Sequence, residues 1–183
     1  NEEGESSGWA SGIPGSDTIP VPASFQDFYT DKDTREFTGN VWYEDDITIP
    51  GWMEGQDVFL RFSAATHRAT VYINGEKAGE HEGGFLPFLV DITDKARYGE
   101  ENRITVKVNN ELTETNIPCG RTIRLRNGRK MSKPYFDFYN YSGLQRSVHL
   151  LSIPPRSIED IDLRYEISGN DASVLYSVKT KGD

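Results

Sequence analysis

Hydrophobic and polar side chains alternate along most of the chain, in short segments separated by Gly, Pro and Asn. The clearest alternation lies at residues 103–109 (RITVKVN), where every second side chain is apolar. No segment shows the periodicity of a helix of about 12 or more residues. The pattern therefore predicts an all-β protein, with strands at residues 41–49, 57–64, 69–73, 76–81, 103–109 and 145–153.

Turn residues separate these strands and indicate how they connect. Asn74-Gly75 follows the segment 69–73 and predicts a tight hairpin, because both residues accept positive φ. Pro87 excludes a central sheet position for part of the segment 85–91, and residues 91–99 are interpreted as a short helical or turn connection. Residues 1–18 are rich in Gly, Ser and Glu without a period, which is typical of a loop. Short strands with such turns favour a jelly-roll β-sandwich.

Two more alternating segments, 158–167 and 172–179, follow the pair Pro154-Pro155. Two strands alone are marginally stable in water. We therefore expect one sandwich domain at residues 1–155 and the start of a second, truncated β-domain at residues 156–183.

Charge and composition limit the possible partners and cofactors. The chain has 183 residues, 29 acidic against 20 basic, and a net charge of −9, which disfavours binding to nucleic acid. No apolar stretch approaches the ~20 residues of a membrane span. A single cysteine, Cys119, excludes an internal disulfide and gives only weak support for a cytoplasmic location. His67, His81 and His149 lack metal-ligand spacing, so neither a metal nor another cofactor is expected.

The segment 135–148 (YFDFYNYSGLQRSV) is the strongest candidate for a functional site. Its first seven residues contain five aromatic side chains around Asp137 and Asn140. Aromatic rings stack on sugars, and carboxylate and amide groups bind sugar hydroxyls. By pattern alone, however, aromatic residues that cover the edge of a sandwich remain the favoured interpretation. The basic segment 121–133 could attract an acidic sugar, but a solvated flexible loop is preferred.

Six stretches of sequence carry a resemblance to a known family. In order and spacing, they resemble the N-terminal sugar-binding domain of family-two glycoside hydrolases over residues 20–183. The YFDF-NY-GLQRSV run is more similar to the β-glucuronidases than to the β-galactosidases or β-mannosidases. The stretches are VPASFQD, GNVWYEDDITIP, VYINGEKAGEHEGGFLPF, VNNELTETNIPCG, YFDFYNYSGLQRSV and IEDIDLRYEI.

The resemblance implies an enzyme of three domains: this jelly roll, an immunoglobulin-like sandwich that begins at residues 156–183, and a TIM barrel. In retaining glycosidases two carboxylates about 5–5.5 Å apart perform the chemistry, and in this family both are barrel glutamates. The resemblance thus implies no catalytic residue in this chain, which should be inactive alone. The whole enzyme would cleave glucuronide-type glycosides and form a homo-oligomer. The family's first strand, with a Gly-x-Trp-x-Phe-like pattern, is missing from this sequence.

Asp137 is the one residue to which the resemblance assigns a role, that of a substrate-binding carboxylate that reaches into the barrel's site. Its neighbours Phe136, Phe138, Tyr139, Asn140 and Tyr141 are expected to hold the loop. Asn110-Glu111 repeats the family's acid/base dipeptide but follows a jelly-roll strand, so we expect a structural role. Three alternatives stay open: a free-standing carbohydrate-binding module, the same domain of a β-galactosidase-like enzyme, and a purely architectural module.

Overall fold

The structure is a computed structural model that describes residues 2–182. Strands dominate this part of the chain, and its helices are short: α1 (Glu2–Ser6), α2 (Phe25–Phe28), α3 (Lys32–Arg35) and two 3-10 turns, Trp9–Ser11 and Gly51–Met53. None of these helices is long and apolar enough to cross a membrane. The strands are β1 (Asn40–Thr48), β2 (Asp57–Phe62), β3 (Arg68–Ile73), β4 (Glu76–Glu82), β5 (Phe88–Asp91), β6 (Glu101–Asn109), β7 (Gly120–Arg124), β8 (Lys130–Pro134), β9 (Val148–Ile153), β10 (Ser157–Ser168) and β11 (Asp171–Lys181).

Two antiparallel sheets face each other and enclose the core. One has the strand order β1-β6-β3-β4 and the other has the order β5-β2-β9. Alternate side chains of β2, β3 and β6 point inwards, because successive residues of a strand face opposite sides. The all-β sandwich predicted from the alternation is confirmed. The innermost side chains include Val58, Leu60, Phe62, Val71, Ile73, Val106 and Val108.

The turns of the sandwich follow the local sequence. Asn74 and Gly75 have φ values of 50° and 85°, which gives the tight hairpin predicted between β3 and β4. Asp91 ends β5, and the segment 92–100 that follows contains turns. Buried Asn102 holds this segment through hydrogen bonds from its Nδ2 to the carbonyl oxygens of Arg97 (2.8 Å) and Glu100 (3.0 Å). The side-chain amide of Asn102 therefore binds backbone carbonyl groups of a segment that is neither helix nor strand.

Two loop predictions were wrong. Residues 1–18 are not simply a loop, because they include α1 and the turn Trp9–Ser11, and Trp9 packs edge-on against Trp42 at 6.1 Å between ring centroids. The segment 121–133 is not a flexible loop, since β7 and β8 pair in register from Gly120↔Pro134 to Arg124↔Lys130. The many exposed basic side chains of this hairpin hid its strand pattern. In addition, the strand predicted at 145–153 begins only at Val148.

Strands β10 and β11 form a separate two-stranded hairpin with one apolar face. Ile161 pairs with Val178, Leu163 with Tyr176 and Tyr165 with Val174, and all six side chains are exposed. The opposite face is mainly polar, and Lys181 forms an ion pair with Asp57 of β2 at 2.6 Å. Nothing in the described part of the chain covers the apolar face.

Candidate functional site

The residues 135–141, here called the aromatic loop, lie between β8 and β9 at the surface. The side chains of Tyr135, Phe136, Tyr139 and Tyr141 are 43–56% exposed. Asp137 is also exposed, and among residues 2–182 no side chain or backbone group donates a hydrogen bond to its carboxylate. The loop therefore presents an available anionic acceptor between apolar rings.

Asn140 fixes one end of the aromatic loop to the sandwich. Its Nδ2 donates to the carbonyl oxygen of Asn110 at 2.8 Å, and its Oδ1 lies 2.7 Å from Nε2 of His67. His67 directly precedes β3 and Asn110 directly follows β6, so both lie at the ends of inner strands of the four-stranded sheet. The side chain expected to hold the loop is thus tied to the sheet at two points.

Gln26 of helix α2 secures the adjoining backbone. Its Nε2 donates to the carbonyl oxygen of Asn140 at 3.0 Å and to Oγ of Ser142 at 2.8 Å. Its Oε1 accepts from the backbone N–H of Ser142 at 2.9 Å. Gln26 and Ser142 are buried, where unpaired amide and hydroxyl groups would be costly. Together Gln26, His67, Asn110, Asn140 and Ser142 form what we call the anchor network.

The dipeptide Asn110-Glu111 is occupied by structural contacts. Asn110 is 2% exposed; its Oδ1 accepts from the N–H of Gly39 at 2.8 Å, and its Nδ2 donates to the carbonyl oxygen of Phe37 at 2.9 Å. Glu111 forms an ion pair with Lys130 at 2.6 Å. Neither side chain is directed to an open site, which agrees with the expected structural role.

The three histidines occupy unrelated positions. His67 belongs to the anchor network, where burial lowers its pKa and the hydrogen bond with Asn140 partly offsets this effect. His81 stacks on Phe88 at 4.1 Å, and His149 is exposed on β9. Across residues 2–182, no cluster of three or more His, Cys, Asp or Glu side chains could hold a metal ion.

A groove of about 500 Å³ on the outer face of the four-stranded sheet is a weaker candidate. Its cationic groups already have protein partners, since Lys107 pairs with Glu5, and Arg68 hydrogen-bonds the carbonyl oxygen of Glu111 at 3.1 Å. The residues lining it do not include the aromatic loop. The aromatic loop and the anchor network therefore form the better site.

Sequence reasoning identified Asp137 and Asn140 but missed the supporting roles of Gln26, His67 and Asn110. In sequence, Gln26 lies 114 positions from Asn140, His67 lies 73 and Asn110 lies 30. His67 and Asn110 are polar residues beside apolar strands, and Gln26 lies in the short helix α2, so none of them has a local pattern that marks a supporting role. Only folding brings them to one place.

Known proteins resemble the chain in sequence and in structure. Residues 1–154 match the family described as glycosyl hydrolases family 2, sugar binding domain. The chain is 39% identical over 176 residues to a β-glucuronidase of Homo sapiens, and 38% identical over 173 residues to one of Paenibacillus borealis. These alignments cover 90% and 91% of this chain but 27% and 29% of those relatives.

Solved structures give the same result. A Ruminococcus gnavus β-glucuronidase superposes with a TM-score of 0.94 at 50% identity, covering 100% of this chain and 30% of that one. A Lactobacillus rhamnosus β-glucuronidase superposes with a TM-score of 0.92 at 54% identity, covering 99% and 31%. The chain thus spans less than a third of the length of these similar proteins.

Proposed function

Because the chain belongs to the family of glycosyl hydrolase family 2 sugar-binding domains, we propose that it works as the N-terminal domain of a retaining β-glucuronidase. In this proposal the chain supports a catalytic barrel and contributes Asp137 to the substrate site. The β-glucuronidases similar to it are all much longer, which is consistent with a domain of a larger enzyme. Homo-oligomer formation by that enzyme is part of the same proposal.

One observation carries the role of Asp137: an exposed carboxylate that lacks a donor within residues 2–182 lies on a loop held by hydrogen bonds to the buried residues His67 and Asn110. An ionised carboxylate is a strong hydrogen-bond acceptor, so it suits the hydroxyl groups of a sugar. Such bonds add several kcal/mol, to order of magnitude, when they strengthen at an oxocarbenium-like transition state. The bond-breaking carboxylates would come from the barrel, so no cofactor is required.

The apolar surface around Asp137 supports contact with a further domain. Besides the aromatic loop, Phe85 (40%) and Leu86 (65%) expose their side chains, and Phe85 lies edge-on against His67 at 6.0 Å. Exposed apolar side chains close together mark sites of protein contact. We propose that this surface packs against the barrel, which brings Asp137 to the active site.

The hairpin β10–β11 fits the proposed division of the chain at residue 155. One face of the hairpin is apolar, and a face of this kind normally covers a core. Its eight residues are all apolar: Ile161, Leu163, Tyr165, Ile167, Ala172, Val174, Tyr176 and Val178. We propose that further strands cover this face and complete an immunoglobulin-like sandwich. That domain would join the present sandwich to the barrel.

The proposal is tested by Asp137→Asn in a longer enzyme that contains this chain, with an aryl glucuronide as substrate. The amide keeps the size of the side chain but loses the charge. We expect kcat/KM to fall roughly 10- to 100-fold, equivalent to about 1.4–2.7 kcal/mol of transition-state binding. Asp94→Asn, at an exposed turn away from the loop, is the matched control. An unchanged kcat/KM for Asp137→Asn would remove this residue from the site.

Two further measurements separate the alternatives. Isothermal titration of this chain with glucuronides and oligosaccharides should show no binding at millimolar concentration, and clear binding would favour a free-standing carbohydrate-binding module. An aryl galactoside should be cleaved far more slowly than the aryl glucuronide by the longer enzyme. The opposite preference would favour a β-galactosidase-like enzyme.

A further inference from the structure

We propose that His67 and Asn140 are positioning residues that fix Asp137 relative to the sandwich. This inference rests on the proposed function, since it concerns the same carboxylate. It goes further by assigning a task to a buried histidine that directly precedes β3, 70 positions from Asp137 in sequence.

The two partners of the Asn140 side chain show which of its atoms donates a hydrogen bond and which accepts one. The Asn110 carbonyl oxygen can only accept, so the atom of Asn140 that lies 2.8 Å from it must be the Nδ2 donor. The other atom, Oδ1, is then an acceptor, and Nε2 of His67 at 2.7 Å must carry the proton. His67 is therefore the Nε2–H tautomer, and the Asn140 amide cannot flip without losing both bonds.

The other ring nitrogen of His67, Nδ1, makes the burial of a histidine at this position unfavourable. Nδ1 is buried and has no hydrogen-bond partner within the described part of the chain. A buried polar atom without a partner is unfavourable. A phenyl ring would avoid this cost but could not donate to Asn140. The donor at Nε2 is therefore the property that a histidine supplies here.

Backbone hydrogen bonds and neighbouring residues restrict the position of His67. The backbone N–H of His67 donates to the carbonyl oxygen of Asn109 at 2.8 Å, and its carbonyl oxygen accepts from Gly83 at 3.1 Å. A Cβ atom at Gly84 would lie 2.8 Å from Nδ1, so a larger residue there would displace the ring. The ring of Phe85 packs edge-on against the ring of His67, with 6.0 Å between the ring centroids. The same histidine thus holds the loop 83–87 and the aromatic loop in a fixed relation.

The backbone near Asp137 is held in place although the Asp137 side chain itself is exposed. Asp137 lies three positions before Asn140, whose side chain and backbone carbonyl are both held by buried groups. A displacement of about 1 Å in a substrate-positioning group can reduce catalysis by as much as 100-fold. Loss of the His67–Asn140 bond should therefore weaken the contribution of Asp137 without removing its charge.

The test is a double-mutant cycle of Asn140→Ala and Asp137→Ala in the longer enzyme, with kcat/KM on an aryl glucuronide as the readout. Asn140→Ala alone should lower kcat/KM roughly 5- to 50-fold. In the Asp137→Ala background the same change should have less than about a twofold effect, because the positioned group is already gone. His149→Phe, which alters an exposed histidine outside the anchor network, serves as the control.

A second series tests the donor at position 67. His67→Gln retains an amide N–H and should keep most of the activity, whereas His67→Phe removes the donor and should behave like Asn140→Ala. Melting temperatures of all variants identify any loss that comes from unfolding, and the His67→Gln enzyme still decides if His67→Phe does not fold. Activity in His67→Gln as low as in Asn140→Ala would overturn the donor role.

The cycle distinguishes the two proposals. If Asp137→Ala lowers kcat/KM but Asn140→Ala does not, only the positioning role fails. Equal losses from Asn140→Ala in both backgrounds would show a general structural effect and would also overturn it. If Asp137→Ala itself leaves kcat/KM unchanged, the function proposed for Asp137 fails, and the positioning role fails with it.

Discussion

Replacing Asn110 by alanine would remove the side chain that joins three segments of the sandwich. Asn110 is 2% exposed and lies at the end of β6. Its Oδ1 accepts from Gly39, and its Nδ2 donates to the carbonyl oxygen of Phe37 and to Oγ of Ser142. Ser142 retains its hydrogen bonds with Gln26 in the variant, but the Gly39 N–H and the Phe37 carbonyl lose these partners.

The expected magnitude follows from these two backbone groups. A buried group that loses its partner costs about 1–3 kcal/mol. The Gly39 bond is buried and the Phe37 bond is part-buried, so the free energy of unfolding should fall by about 3 kcal/mol. For a protein of this size, each kcal/mol lowers the melting temperature by roughly 2–4 °C. We therefore expect the melting temperature of Asn110→Ala to fall by roughly 6–12 °C.

Urea unfolding and thermal melting of this chain, both followed by circular dichroism, measure the change. Asn127→Ala is the matched control, because Asn127 is exposed and makes one hydrogen bond, to the N–H of Arg129 at 3.1 Å. Its free energy of unfolding should stay within about 0.5 kcal/mol of the original value. If Asn110→Ala proved as stable as Asn127→Ala, the reasoning about the buried network would be refuted.

Two other predictions concern stability and the hairpin. Burial raises the pKa of Tyr43 to about 12, so stability is fully present below the unfolded pKa of about 10 and declines as the pH rises towards 12. Tyr43→Phe should weaken that decline in urea unfolding measured across this range, and an equally steep decline would contradict it. Deleting residues 156–183 should reduce the fluorescence of a hydrophobic dye, because the apolar face of β10–β11 is exposed. The melting temperature of the sandwich should change little, and a large fall would show that the hairpin is part of its core.

Alternation of apolar and polar residues predicted the strands correctly where one side of a strand faces the core. The segment 103–109 was predicted within two residues of β6, because alternate burial leaves a period of two in the sequence. The same reasoning failed for β7 and β8, where most residues are exposed or half-buried and polar on both faces, so alternation is weak. It also failed for α1, which packs closely against Trp42: a Cβ atom at Gly4 would lie 2.5 Å from Nε1 of that ring.

The sequence by itself predicted the all-β sandwich and drew attention to the aromatic loop, while the role of Asp137 comes from the family resemblance and stays a prediction. Each follows from neighbouring residues or from motifs in a fixed order, which need no knowledge of distant contacts. The tertiary structure alone decided that Gln26, His67 and Asn110 meet at Asn140. The physical reason is that hydrogen-bond partners in a sandwich are set by sheet packing, which joins residues far apart in the chain and leaves no periodic trace in the sequence.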